Sequence, residues 1–188
     1  TSLMVILRTG DHIVASNSLY GGTYNLLANT LPRFGITTTF VDPDDPTEFT
    51  KAVKSNTRAF FAESLGNPKL DVLDLKAISE AAKKAKVPFV VDNTVASPAL
   101  LNPIEHGANI VIHSLTKYLC GHGTTIGGIV VDSGKFDWAR HKDRFSLFSE
   151  PDSAYHGMVF TDACGEAAFI TRLRAVSYTH LRAHETEY

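Results

Sequence analysis

The chain has 188 residues, 44% of them apolar, and a formal net charge of -2. That is long enough for one domain whose core buries roughly 70% of the unfolded chain's surface, and the absence of a basic cluster argues against nucleic acid or an anionic membrane as partner, leaving small molecules. Cys120 and Cys164 are isolated, which argues against a disulfide framework or a zinc site and for a reducing compartment, expected to be the cytoplasm.

Leu3, Val5, Ile6 and Leu7 read as the end of a helix stopped by Arg8-Thr-Gly-Asp11, with Gly10 as its C′ residue, so the chain is expected to begin inside a fold. No signal peptide or long apolar span is visible. His12 to Ser16 reads as a short strand, and Leu19-Tyr-Gly-Gly-Thr-Tyr24 as a turn feeding an amphipathic helix through Leu26, Leu27, Thr30 and Leu31 until Pro32. Ile36 to Val41 is the next strand. Asp45-Pro-Thr-Glu48 has the pattern of a helix start, with aspartate as N-cap, proline at N1 and glutamate at N3, and Phe49 and Val53 then share a face. Thr57 to Glu63 is a strand, Asp74 to Lys86 a helix burying Leu75, Ile78, Ala82 and Ala85, and Pro88 to Asp92 another strand.

Asn109 to Tyr118 begins as an apolar strand and ends in two hydroxyl residues and a lysine. A glycine-rich turn follows that is too short for a crossover helix, so Ile126 to Asp132 is expected to run antiparallel. The sustained alternation of strand and helix predicts an α/β fold, a three-layer, mostly parallel sheet with helices on both faces. Ala167, Phe169, Ile170 and Leu173 have ordinary helical spacing. The stretch 177–188 is polar, histidine-rich and without an apolar stripe, and reads as foreign, like translated adapter read-through at the end of an assembled gene fragment; it is set apart from a domain over 1–176.

In an open α/β sheet, ligands sit outside the carboxyl ends of the strands. Asp92, Ser114, Thr116 and Lys117 should therefore face one crevice, and an amine, a carboxylate and two hydroxyls there suit pyridoxal phosphate. Lysine forms a Schiff base with an aldehyde, and does so best when partly desolvated near other cationic charge. A carboxylate against the pyridine nitrogen keeps it protonated and the ring able to store electrons. Hydroxyls beside backbone amides at a turn suit a phosphate, and Ser114 and Thr116, two residues apart, can both point the same way. Each residue alone has a plainer reading: Lys117 as a solvated charge, Asp92 as a turn or N-cap residue. Their convergence at two successive strand ends favours the functional one. His113, Cys120 and His122 fit no metal-ligand spacing and read as structural.

Leu19-Tyr-Gly-Gly-Thr-Tyr24, Glu63-Ser-Leu-Gly-Asn-Pro68, Val91-Asp-Asn-Thr94 and His113-Ser-Leu-Thr-Lys-Tyr118 followed by Gly121-His-Gly123 resemble the Cys/Met-metabolism family of pyridoxal phosphate enzymes over Asp11 to Ala175. Phe148-Ser-Glu-Pro-Asp-Ser-Ala-Tyr-His-Gly157 and Gly165-Glu-Ala-Ala-Phe169 resemble its O-acetylhomoserine sulfhydrylase branch. The resemblance implies the large cofactor domain of the aspartate-aminotransferase-like fold, truncated at both ends. It implies that Lys117 carries the cofactor and Asp92 pairs with the ring nitrogen. Ser114 and Thr116 would bind phosphate, Tyr20 would stack on the ring within reach of proton transfer, and Asn67 would contact the 3-hydroxyl. Outside this context Tyr20 reads as a packing residue at a helix start, and Asn67 as a turn residue before Pro68.

Family members are tetramers in which a neighbour's N-terminal segment completes the phosphate site. A glycine-containing phosphate loop is expected upstream, and a small domain holding the substrate carboxylate downstream, so the chain by itself is expected to be inactive. The implied reaction is γ-replacement on O-acetyl-L-homoserine by sulfide or methanethiol, with cystathionine γ-synthase or cystathionine/methionine γ-lyase chemistry as the alternative. The loop Glu150–Gly157 is the candidate for substrate choice. Readings of another class are a non-catalytic fragment and a nucleotide-binding α/β domain; against the second, neither G-x-G-x-x-G nor G-x-x-x-x-G-K-[ST] occurs.

Overall fold

A computed structural model describes residues 1–178. Apart from Ser177 and Tyr178, the stretch expected to be foreign lies outside the described residues. The chain divides into two compact units: Leu7–Ser133, and Gly134 onward together with the N-terminal residues Thr1–Ile6, which include helix α1 (Ser2–Ile6).

The unit Leu7–Ser133 is built on six strands: β1 (His12–Ser16), β2 (Thr37–Val41), β3 (Thr57–Glu63), β4 (Phe89–Asp92), β5 (Ile110–Ser114) and β6 (Gly128–Asp132). Their order across the sheet is β2-β1-β3-β4-β5-β6. The first five pair in parallel and β6 pairs antiparallel to β5, with Ser114 opposite Gly128. The mostly parallel sheet is thus as predicted, and so is the direction of β6, because the connection after Lys117 has no room for a crossover. Helices occupy the crossovers: α2 (Gly21–Asn25), α3 (Pro46–Lys51), α4 (Leu75–Ala85) and α5 (Ser97–Leu100).

Apolar runs on both sides of the strands explain why they are central. Phe60, Phe89, Val91 and Val111 share a cluster with Phe49 of α3 and with Leu75, Ile78 and Ala82 of α4. Ile13, Phe61, Val90 and Ile110, which alternate with the first set, are buried too. Helix α4 forms where its apolar residues recur at helical spacing. It is capped at one end by the Asp74 carboxylate, which accepts the Ala77 N–H at 3.0 Å, and stopped at the other by Lys86 in the left-handed conformation, φ 56°. In α3 the Asp45 carboxylate accepts the Thr47 N–H at 2.9 Å, as its N-cap pattern predicts. Glu48 does not reach back to Asp45; it accepts the Asp42 N–H at 3.0 Å instead.

Two local expectations are corrected. Helix α1 ends at Ile6, so Gly10, φ 93°, is not its C′ residue but belongs to the turn into β1, where its N–H donates to the Gly35 carbonyl at 2.8 Å. The helix expected to run on until Pro32 is α2 followed by a wider turn over Leu26–Thr30 and a tight one over Leu31–Phe34, ended by Gly35 at φ 74°. Pro32 stands near the start of that last turn, where its missing N–H is not needed.

His12 is fully buried, its two ring nitrogens 2.8 Å from the Thr57 and Thr39 hydroxyls. Burial first, and the charge of Lys54 second, push its pKa down to about 4. A depressed pKa means that the unfolded chain takes up the proton first. This contribution to stability is therefore whole above about pH 6.5 and lost as pH falls through about 4. Thermal unfolding across that window should show a steep acid loss that His12→Gln, which does not titrate, makes shallower; equal pH slopes would refute this.

In the other unit, α6 (Ser146–Ser149), α7 (Phe160–Cys164) and α8 (Ala168–Val176) surround an aromatic cluster in which Trp138 packs on Phe145, Phe148 and Phe169. Arg172 lies over the Phe148 and Phe160 rings and pairs with Asp152 at 2.6 Å. Asp152 also accepts the Ala154 N–H at 3.0 Å, so the Glu150–Gly157 loop is held at its base. No helix of the described residues is long and apolar enough to cross a membrane.

Candidate active site

The strand order places β1 beside β3, while β2 lies on the other side of β1. The chain thus leaves successive strands in opposite directions at β1 and β3, and the loops beyond their carboxyl ends diverge to leave a crevice. A cavity of about 520 Å³ opens there and extends across the ends of β4 and β5. Tyr20, Asn67, Asp92, Ser114, Thr116 and Lys117 all line it. Six residues picked from four separate stretches of sequence are brought to one place.

Asp92 ends β4, and its Oδ1 accepts both the Thr94 N–H at 2.9 Å and the Thr94 hydroxyl at 2.5 Å. Both donors fall on the same oxygen. The Thr94 Oγ1 in turn accepts the Ser114 N–H at 2.8 Å, which ties the end of β4 to the end of β5. Beneath them Asn93, fully buried, accepts from Ser64 at 2.7 Å and donates to the Leu101 carbonyl at 2.9 Å, while its own carbonyl meets His113 Nδ1 at 3.1 Å. His113 therefore has a structural role, as expected.

Of the two reasons for pairing Ser114 with Thr116, hydroxyls at a turn and strand alternation, only the turn applies. β5 stops at Ser114, and Leu115–Leu119 is a helical turn broken at Lys117, φ -92° and ψ -126°. The Thr116 hydroxyl accepts the Gly127 N–H at 3.0 Å and lies 3.3 Å from the Gly127 carbonyl, so it also fastens the turn to the start of β6. Lys117 is exposed at the rim, not partly desolvated as expected, because its turn leads outward into the exposed Gly121–Gly123 segment. Tyr20 is 53% exposed, its ring presented to the cavity instead of packed in the core.

Residues 1–166 match the model of the Cys/Met metabolism PLP-dependent enzyme family. The chain belongs to this family. A member named O-acetyl-L-homoserine sulfhydrylase, from Leptospira meyeri, is 56% identical over 165 residues, which are 88% of this chain and 37% of that protein. A homocysteine synthase from Schizosaccharomyces pombe is 52% identical over 169 residues, 89% of this chain and 39% of its own length. Among solved structures, an O-acetylhomoserine (thiol)-lyase from Campylobacter jejuni, which carries N'-pyridoxyl-lysine-5'-monophosphate, superposes with a TM-score of 0.88 at 37% identity, over 96% of this chain and 44% of that one. The chain thus spans under half the length of these Cys/Met-metabolism relatives.

Sequence reasoning missed two residues of this family member's cavity. Thr94 lies within the Val91–Thr94 motif, where sequence assigns it no part, although it orients Asp92. Glu63 ends a strand and opens the Glu63–Pro68 motif but has no role assigned from sequence, yet it is 6% exposed, lines the cavity and pairs in register with Asp92 across β3 and β4. Burial raises its carboxyl pKa to about 7, against the lowering effect of the Tyr20 N–H, with Asp92 nearby raising it further. The rule that singled out Asp92, a carboxylate at the carboxyl end of a central strand, applies equally to Glu63.

Proposed function

We propose that this chain holds pyridoxal 5'-phosphate in the active site of a longer enzyme, a cytoplasmic homotetramer that exchanges the acetate of O-acetyl-L-homoserine for sulfide or methanethiol, giving homocysteine or methionine. The observation that carries the reading is the cavity where Lys117, Asp92, Ser114 and Tyr20 converge, in a chain whose relatives are named for this chemistry. The donor set fits the cofactor. An amine stands at the rim for an aldehyde, and a carboxylate held by Thr94 through one oxygen keeps the other for a ring nitrogen. An exposed aromatic face suits an electron-poor ring.

Bound pyridoxal phosphate supplies an electron sink for a carbanion at the substrate's Cα. The remaining work falls to side chains. The Lys117 Nζ holds the cofactor aldehyde and, once displaced by the substrate amine, moves protons at Cα and Cβ. Asp92 holds the proton on the pyridine nitrogen. Tyr20 covers a face of the ring and is the second candidate for proton transfer. Asn67 takes the 3-hydroxyl, and Ser114 and Thr116 take phosphate oxygens, with Thr116 doing so while bonded to Gly127.

Selection of an acetyl leaving group depends on pocket shape and on polar groups left unpaired by the wrong substrate. The full-length enzyme should therefore use O-acetyl-L-homoserine and sulfide with a higher kcat/KM than it shows for cleaving cystathionine or methionine. Competition among these substrates in one assay tests this. Dominant release of 2-oxobutanoate would make the enzyme a γ-lyase, and dominant use of cysteine as acceptor a cystathionine synthase.

A further inference from the structure

We infer that Glu63 is a positioning residue of this site, whose carboxylate ties the loop after β1 to the loop after β3 and so sets where Tyr20 and Asn67 stand around the cofactor. The inference rests on the pyridoxal phosphate reading. Glu63 Oε1 accepts the Tyr20 N–H at 2.7 Å and Oε2 accepts the Asn67 N–H at 3.2 Å. Tyr20 and Asn67 are distant in sequence, and one side chain at the end of β3 holds both by the backbone.

The two loops also press on each other one layer away. The Ser18 hydroxyl donates to Asp71 at 2.6 Å, and a Cβ on Gly66 would fall 2.2 Å from both of these oxygens. That second tie brings the loops together without touching Tyr20 or Asn67. Of these two ties, the Glu63 bridge is the one that bonds the residues facing the cavity.

Stability alone does not account for a carboxylate in this place. Glu63 is buried beside Asp92, with Asp71 also close enough to disfavour its charge, and no cation among its hydrogen-bond partners. A buried acid next to another acid costs stability, and a neutral side chain of the same shape would cost less. A carboxylate does offer two acceptors at a fixed spacing for two N–H donors. Glutamine keeps one acceptor and turns an NH2 donor toward the other N–H.

The test uses the full-length protein with Glu63→Gln and Glu63→Asp, measuring the pyridoxal phosphate Kd, the visible circular dichroism of the bound cofactor, and the melting temperature of the cofactor-free form. A positioning role predicts that Glu63→Gln melts no lower than wild type, binds the cofactor about tenfold more weakly, as the loss of one charge-assisted hydrogen bond implies, and shows an altered circular dichroism band. Glu63→Asp, a carbon shorter and unable to span both N–H groups, should fall short in the same way. A lower melting temperature with unchanged Kd and spectrum would assign Glu63 to stability and overturn the inference. Wild-type behaviour of Glu63→Asp alone would overturn it too, because charge and not reach would then be what matters. If the wild type itself takes up no pyridoxal phosphate, the cofactor reading fails first and this one with it.

Discussion

Replacing Lys117 by alanine in the full-length protein is expected to remove the yellow colour of the cofactor-loaded enzyme and to lower turnover by about a thousandfold or more, the scale of losing a positioned acid–base group together with the covalent anchor. Lys117 is suited to both tasks by its place in the chain. It interrupts the helical turn that follows β5, and on either side of it Ser114 pairs with Gly128 and Thr116 bonds Gly127. The backbone is thus fastened close to the lysine while the side chain stays exposed at the cavity rim. Borohydride reduction of the loaded enzyme followed by peptide mapping should find the pyridoxyl group on Lys117. Finding it on Lys51, Lys83 or any other lysine would remove the assignment.

The second large effect is expected at Asp92. Asparagine keeps the oxygen that accepts from Thr94, so the end of β4 should hold its shape, but in the proposed role it would turn an NH2 toward the ring nitrogen and remove the negative charge proposed to keep that nitrogen protonated. Asp92→Asn should bind the cofactor and lose about 10²–10³ in kcat, the scale of removing one preorganised electrostatic partner. Exchange of the substrate's α-proton with solvent should slow by the same factor. Near-normal exchange in the variant would show that Asp92 does not serve the ring nitrogen.

The parallel sheet was legible because its central strands are buried on both faces and therefore read as unbroken apolar runs, such as Ile13-Val-Ala15 and Phe89-Val-Val91. The cap of α3 was legible because Asp45 acts on an N–H group two residues away, whereas Asp74, read as the first residue of α4, is its N-cap. What lay beyond reach was set by contacts distant in sequence. Glu63 meets Tyr20 across 43 residues, and Thr94 meets Ser114 across 20. No local pattern encodes either pairing. Thr116 shows a different limit: it lines the cavity, but the alternation that would aim it with Ser114 ends at Ser114, and its hydroxyl also serves a turn.

The reversal of strand order at β1 and β3 also bears on how the protein comes to bind anything. The cavity draws on the ends of β1, β3, β4 and β5, so it exists only once those strands have paired, and pairings of such long sequence separation form late and slowly. A ligand of this cavity therefore discriminates between the finished sheet and every partly assembled one. By mass action it shifts the balance toward the finished sheet by about 2.7 kcal/mol at a free concentration a hundred times its Kd. Uptake of the ligand would report completed folding, and a cell short of it would hold more of this protein in unfinished forms.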